Sequence, residues 1–274
     1  MDFKFKSDER TAMLPLLDAY LATEFARSFT AALEIGVYKG GWLTTLASNN
    51  SSILTIGIDP YPNLEVIKKS LIEYRNKIGL KERLFLYSSF NELLNSTHSQ
   101  ITYDMIHLDG EHSQSGVSKD LKDLHPLLND NGILIIDDIF YHSYPGVTAA
   151  AFSFIEKNSL TPFLFTEKKL YICDRRYYKE YYTKTISALN LLRIDYEESQ
   201  NSTSKAPYIQ SNSIFGSNLI ITSEKLNRRE KANVLKVTNH RLPLTIRTKN
   251  TFRIFTPPIL LELFQFFKAR LKLD

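Results

Sequence analysis

Two groups of acidic residues are the part of this sequence whose types and spacing could carry out chemistry. Asp109 lies within the run His107–His112, and the pair Asp137 and Asp138 follows further along the chain. Each group comes directly after a short apolar segment that is typical of a buried strand. If those strands are neighbours, about 4.8 Å apart, three carboxylates converge at one edge of a sheet. Unpaired carboxylates at that distance repel each other, and a divalent cation such as Mg²⁺, Mn²⁺ or Ca²⁺ would remove the conflict.

A histidine at the same edge could serve as a general base. His112 comes three residues after Asp109, and a neutral imidazole can accept a proton near neutral pH. We therefore predict that a cation held by the three aspartates activates a substrate hydroxyl and that His112 takes its proton. The structural alternative is that the aspartates cap helices or hold Asx turns and that His112 is an exposed loop residue. His107 lies inside an apolar segment, so we expect it to be buried with its hydrogen bonds satisfied.

A glycine-containing loop, Glu34–Gly41, separates another apolar strand from a helix. Gly36 and Gly40 allow the backbone to approach a ligand closely at the start of that helix. Asp59 follows Gly36 by 23 residues, at the end of the next predicted strand, where a carboxylate can accept hydrogen bonds from two ribose hydroxyls. Tyr38 stands where a dinucleotide-binding loop has its middle glycine, which disfavours NAD and favours a nucleoside such as S-adenosylmethionine. The alternative is a tight turn that binds no ligand.

Alternating strands and helices must position these residues. Short apolar segments between helical stretches predict five strands, at residues 32–35, 53–58, 84–87, 105–108 and 133–136. Continuously apolar strands imply a parallel sheet covered by helices on both faces. Residues 163–165 and 170–172 predict a hairpin that adds an antiparallel edge. The predicted fold class is therefore α/β, a doubly wound, mostly parallel, Rossmann-like sheet, and such sheets bind ligands at the carboxyl ends of their strands.

The composition is that of a globular protein, with 43% hydrophobic residues and a single cysteine, Cys173. One cysteine excludes an internal disulfide framework and a Cys-rich zinc site. The sequence shows neither a signal peptide nor an apolar run long enough to span a membrane, and we expect a cytoplasmic protein.

Charge and pattern divide the chain into four predicted parts. They are an N-terminal helical segment (1–29), the sheet domain (30–175), a helix with a polar linker (176–213) and a basic C-terminal extension (214–274). Residues 201–274 hold 13 Lys and Arg against 4 Asp and Glu, although the whole chain has a net charge of only +4. Within the extension we expect a basic hairpin at 242–254 and an amphipathic helix at 259–273. That helix could join two copies of the chain into a homo-oligomer.

About half of the chain, residues 30–173, resembles the class I S-adenosylmethionine-dependent methyltransferases. The resemblance is carried by the runs ALEIGVYKGGW, GIDPY and YDMIHLDGEHSQSGVSKDLKDLHPLLNDNGILIIDDI. Within that class the sequence is most similar to the metal-dependent sugar O-methyltransferases of the macrocin O-methyltransferase type. The resemblance implies a role for each matching residue. The implied contacts are Glu34, Gly36, Gly40 and Asp109 with the cofactor, Asp59 with its ribose, Ser88 and Ser89 with its adenine, and Asp109, Asp137 and Asp138 with the metal. It also implies that His112 is the general base.

The resemblance and the residues together favour a metal-dependent O-methyltransferase whose acceptor is a hydroxyl of a sugar or another small molecule. Two alternatives stay open. One is a non-methyltransferase enzyme, such as a hydroxylase-like protein, on the same fold, because fold does not determine function. The other is a nucleic-acid-binding protein that uses the basic extension. The acidic groups oppose nucleic acid in the main cleft, since they would repel phosphates.

Overall fold

The computed structural model describes residues 15–60, 65–198 and 208–223. Its strands are β1 (Ala31–Ile35), β2 (Leu54–Ile58), β3 (Leu84–Tyr87), β4 (Tyr103–Leu108), β5 (Leu128–Ile136), β6 (Leu160–Phe165), β7 (Leu170–Asp174), β8 (Tyr208–Ile214) and β9 (Ser217–Ser223). Its α-helices are α1 (Leu16–Ala26), α2 (Gly41–Asn49), α3 (Glu65–Lys77), α4 (Phe90–Leu94), α5 (Gln114–Leu124), α6 (Pro145–Lys157) and α7 (Tyr178–Glu198). None of the helices in these ranges is both long enough and apolar enough to cross a membrane.

The strands form one nine-stranded sheet in the order β3-β2-β1-β4-β5-β7-β6-β9-β8. Strands β1 to β5 pair in parallel, and β7 runs antiparallel to β5. The predicted doubly wound α/β fold is therefore confirmed. The chain order reverses between β1 and β4, so a crevice opens outside the carboxyl ends of these two strands.

Both faces of the central strands are buried because successive side chains point to opposite sides. In β1, Ala32 packs with α1, α2 and α7 on one face, whereas Leu33 packs with α5 and α6 on the other. Met105 and Ile106 of β4 divide in the same way. This two-sided burial explains why the strands are continuously apolar in sequence.

The antiparallel edge differs from the prediction in one respect. The predicted hairpin is present as β6 and β7, but it lies inside the sheet. Strand β9 pairs in parallel with β6, and β8 pairs antiparallel with β9 to form the edge.

The prediction of a polar loop up to residue 213 is wrong for residues 208–213, and the predicted boundary at 213/214 falls inside β8. An edge strand with a polar, half-exposed sequence lacks the apolar pattern that identified the other strands. Helix α4, which has only five residues, was also not predicted. The predicted basic hairpin and C-terminal amphipathic helix lie outside the described residues.

Candidate active site

The carboxyl ends of β1 and β4 carry a buried glutamate–histidine pair. Glu34 and His107 are direct partners in the register of the two strands, and both are almost fully buried. His107 Nδ1 donates to Glu34 Oε1 at 2.9 Å, while His107 Nε2 accepts from the Lys169 ammonium at 3.0 Å. Burial, followed by the Lys169 charge, lowers the pKa of His107 well below its ordinary value. His107 is therefore neutral, and the expectation of a satisfied buried histidine agrees with its two hydrogen bonds.

Lys169 also holds the first aspartate after β5. Its ammonium forms an ion pair with Asp137 Oδ2, and Asp137 Oδ1 accepts the backbone N–H of Asp138 at 2.7 Å. Burial alone would raise the pKa of Asp137, but the Lys169 charge, together with hydrogen bonds from Lys169 and from the Asp138 N–H, outweighs it and lowers that pKa to about 2. Asp137 is thus a carboxylate that is already paired with a cation.

The second aspartate after β5 orients the predicted base. Asp138 adopts a left-handed backbone conformation, with φ 55°, which is uncommon for a residue other than glycine. Its Oδ2 lies 3.1 Å from His112 Nε2, and its Oδ1 lies 3.3 Å from Lys168 Nζ. The His112 ring stacks on Tyr144 with a centroid separation of 4.1 Å. A carboxylate on one side and an aromatic ring on the other therefore fix the imidazole.

Asp109 lies between these two pairs. Its Oδ1 is 4.0 Å from His112 Nε2. Burial, followed by the negative charge of Asp137, raises the pKa of Asp109 to about 8. The described residues contain two groups that could hold a metal ion, one formed by His107, Asp109 and Asp137 and the other by Asp109, His112 and Asp138. The structure thus distributes the three predicted aspartates over two groups that share Asp109.

We expect Asp109→Asn to stabilise the metal-free protein at alkaline pH. The folded-state pKa of Asp109, about 8, exceeds the unfolded value of about 4. Its protonated form favours folding, and this contribution is fully present below about pH 4 and is lost progressively as the pH rises from about 4 to about 8. Asparagine cannot ionise, and because the aspartate side chain is 35% exposed, screening limits the gain to about 1 kcal/mol at pH 9.

Urea denaturation in the presence of a chelator between pH 5 and pH 9 measures this effect. The difference between Asp109→Asn and the wild type should grow with pH. The exposed Asp130, replaced by asparagine, is the matched control and should show no such growth. A stability difference for Asp109→Asn that does not change with pH would contradict the burial argument.

The glycine loop packs directly against this acidic edge. Gly36 has φ +82°, and a Cβ atom there would lie 1.8 Å from the backbone oxygen of Asp109. The backbone N–H of Tyr38 donates to Asp59 Oδ2 at 2.8 Å, which ties the loop after β1 to the end of β2. Gly40 has φ +75° and precedes α2. The predicted nucleoside-binding residues of β1 and β2 are therefore brought together.

The two serines after β3 have visible structural roles. Ser89 caps α4 by accepting the backbone N–H of Glu92, and Ser88 Oγ accepts from Lys68 at 3.2 Å. A cavity of about 290 Å³ lies at the carboxyl end of the sheet. Five of the site residues predicted from the sequence are not among the residues that line it, namely Gly40, Asp59, Ser88, Ser89 and His112. The lining residues that the argument uses are Glu34, Gly36, Trp42, Lys169 and the three aspartates of the acidic groups.

Lys169 and Trp42 are among the cavity residues that sequence reasoning did not predict. Lys169 directly precedes β7, and it faces Asp137 only because β7 is the antiparallel neighbour of β5. Trp42, in α2, packs on the His107 ring with a centroid separation of 4.9 Å. Its Nε1 and Glu34 Oε2 are buried polar atoms without a hydrogen-bond partner. The positions of Lys169 and Trp42 in the cavity depend on the order of the strands in the sheet, which cannot be read directly from the sequence.

The sheet is doubly wound, with a glycine loop after β1, a carboxylate after β2 and acids after β4 and β5. This is the arrangement that the resemblance to class I methyltransferases implies. Residues 33–139 match the sequence profile of a family described as a methyltransferase domain. The predicted resemblance to class I S-adenosylmethionine-dependent methyltransferases is therefore confirmed.

One curated protein has a related sequence. An uncharacterized protein of Acanthamoeba polyphaga mimivirus is 28% identical over 131 residues, which are 45% of this chain and 57% of that protein. The chain thus matches little more than half the length of this curated relative.

Two solved structures are also similar. A candidate caffeoyl-CoA O-methyltransferase from Staphylococcus aureus superposes with a TM-score of 0.51 at 20% identity, over 58% of this chain and 83% of that one. An S-adenosylhomocysteine-bound methyltransferase from Podospora anserina gives a TM-score of 0.48 at 17% identity, over 60% and 80%. The likeness to the first of these shows a shared fold.

Proposed function

We propose that the protein is an S-adenosylmethionine-dependent O-methyltransferase that uses a divalent metal, Mg²⁺, and methylates a hydroxyl of a sugar or a glycosylated small molecule. The observation that carries this proposal is the Asp138–His112 pair, 3.1 Å apart, beside Asp109. It lies at the same sheet edge as the glycine loop. An oriented base and a nucleoside loop at one edge are what methyl transfer to a hydroxyl requires.

The cofactor side offers groups that suit S-adenosylmethionine. Gly36 lets the backbone approach a ligand, Asp59 would accept hydrogen bonds from the ribose hydroxyls, and Ser88 and Ser89 would lie near the adenine. Glu34 Oε2 and Trp42 Nε1 are a buried acceptor and a buried donor without partners. An unsatisfied buried polar atom costs about 1–3 kcal/mol, so a ligand that both donates and accepts here would be favoured. When bound, the cofactor supplies an electrophilic methyl group on a sulfonium.

The acidic side offers ligands that suit a hard divalent cation. Carboxylates of Asp109, Asp137 and Asp138 are the predicted ligands, and oxygen ligands of this kind are those that Mg²⁺ prefers. Burial and the negative charge of Asp137 raise the pKa of Asp109, and a cation bound to this side chain would favour its ionised form. When bound, a cation would lower the pKa of an acceptor hydroxyl.

His112 would take the proton of the acceptor hydroxyl. Asp138 holds the imidazole through Nε2 and would stabilise its positive charge after proton transfer. The cavity walls would align the hydroxyl oxygen with the methyl carbon, and alignment of this kind can supply about 7–11 kcal/mol of the barrier reduction. The sugar class of the acceptor follows from the resemblance, and a cavity lined largely by charged side chains is compatible with a polyhydroxylated acceptor.

Calorimetric titration with S-adenosylmethionine, with and without Mg²⁺, tests the proposed function. We expect binding in both conditions and turnover on a sugar acceptor only with the metal. Asp59→Asn should weaken cofactor binding by about 10- to 100-fold, since it removes hydrogen bonds to a charged group. Asp123→Asn, which changes an α5 carboxylate paired with Lys119, should leave the affinity unchanged. No cofactor binding in either condition would exclude the proposal.

A further inference from the structure

Lys169 places a positive charge inside the acidic edge at a fixed position. The residue is 5% exposed. Its backbone is held in the turn between β6 and β7, because its carbonyl accepts from Thr166 N–H at 3.0 Å and its N–H donates to Thr166 Oγ1 at 3.3 Å. The ammonium therefore reaches Asp137 and His107 from a rigid turn and not from a flexible loop.

A chain of polar contacts extends from this ammonium across four neighbouring strands. Lys169 Nζ donates to Asp137 Oδ2 after β5 and to His107 Nε2 on β4, and His107 Nδ1 donates to Glu34 Oε1 on β1. The Lys169–Asp137 and His107–Glu34 links join neighbouring strands, whereas the Lys169–His107 link reaches past β5 to β4. Removing the ammonium would leave Asp137 Oδ2 and the buried His107 Nε2 without their donor, which is costly in a low-dielectric interior.

The two aspartates after β5 differ in how easily their lysine partners can leave. The Lys168 side chain, paired with Asp138, is 53% exposed, whereas the Lys169 side chain, paired with Asp137, is 6% exposed. An exposed lysine can turn into water at little cost, since surface ion pairs are weak. A buried lysine has no such alternative, so a second cation at Asp137 would have to displace it or repel it.

We propose that Lys169 is a positioning residue that keeps Asp137 as its own partner, so that a divalent cation is bound by Asp109 and Asp138 and not by Asp137. For the presence of a metal this inference rests on the proposed function, and it departs from the three-aspartate ligand set predicted from the sequence. Asp137 then belongs to the hydrogen-bonded chain that runs through Lys169 and His107 to Glu34. The metal is bound on the same side of Asp109 as His112.

Binding of Mn²⁺ to the full chain, followed by electron paramagnetic resonance and by calorimetry without cofactor or acceptor, tests the assignment. Asp138→Asn should weaken Mn²⁺ binding at least about tenfold, whereas its neighbour Asp137→Asn should change it less than about threefold. Lys169→Met should tighten Mn²⁺ binding at least about tenfold, because it releases a second carboxylate. Asp137→Asn in the Lys169→Met background should cancel that gain.

Equal losses for Asp137→Asn and Asp138→Asn would overturn the inference, and so would an unchanged affinity in a folded Lys169→Met variant. If Lys169→Met does not fold, the comparison of the two asparagine variants decides alone. If the wild type binds no Mn²⁺, the metal part of the proposed function fails. The assignment of Asp109 and Asp138 as ligands then fails with it. The role of Lys169 in keeping Asp137 from a cation is still supported by a gain in Lys169→Met that depends on Asp137, and it is overturned by the absence of that gain.

Discussion

Replacing His112 with alanine is expected to lower kcat by about 10²- to 10⁴-fold, the usual contribution of a positioned general base. The affinity for S-adenosylmethionine should stay within about threefold of the wild type, since none of the contacts of His112 with Asp138, Asp109 and Tyr144 involves the glycine loop. Steady-state kinetics with a hydroxyl acceptor, combined with calorimetric cofactor binding, separates the two quantities. The loss should appear in kcat and not in cofactor binding, because the ring acts only on the reacting proton.

A second histidine near the site provides the matched control for this substitution. His142 is exposed and packs only loosely on Tyr141, with a centroid separation of 4.9 Å. His142→Ala should leave both kcat and cofactor affinity close to the wild-type values. Unchanged turnover in His112→Ala would mean that another group is the base, and a similar loss in both variants would indicate a disturbed loop.

Gly36→Ala is expected to destabilise the protein by more than about 3 kcal/mol, because a clash is added to an unfavourable backbone conformation. The new Cβ atom would lie 1.8 Å from the carbonyl oxygen and 2.4 Å from the carbonyl carbon of Asp109. Neither atom belongs to a flexible side chain, so the loop after β1 or the end of β4 must move. Urea denaturation gives the change in the free energy of unfolding, and cofactor binding should be lost even where the variant still folds.

Gly79 separates the two contributions. Its φ is +75°, close to that of Gly36, but a Cβ atom there would meet nothing within 4 Å. Gly79→Ala should therefore cost only the backbone contribution, about 1–2 kcal/mol. If both alanine variants lose the same stability, the close approach between Gly36 and Asp109 does not contribute and the packing argument is wrong.

The sheet and its acidic edge could be predicted because they depend on local patterns. Buried parallel strands are apolar on both faces, so their boundaries are visible in a single sequence. The residues that follow β1, β2, β4 and β5 then meet at one edge because parallel strands end on the same side of the sheet. That argument placed Asp109, Asp138 and His112 together, and the structure brings His112 within 3.1 Å of Asp138.

The remaining features depend on which strands are neighbours. Lys169 follows Lys168 in a predicted turn, where lysines are usually exposed, and only the antiparallel β5–β7 pairing turns it toward Asp137. The β8–β9 edge was also missed because it depends on strand pairing. Tyr208–Ile214 is largely polar, and its strand conformation is stabilised by pairing with β9. Local composition does not encode such contacts, since they join residues that are far apart in the chain.

The position of Trp42 gives this protein an optical reporter of its own. It is the only tryptophan in the sequence, and its indole lies against the His107 ring that connects Glu34 to Lys169. All of the indole emission therefore comes from the inner wall of the cavity. Occupation of the cavity, or a break in the contacts of His107, should change the intensity and wavelength of that emission. Binding can then be followed on the unlabelled chain at submicromolar concentration.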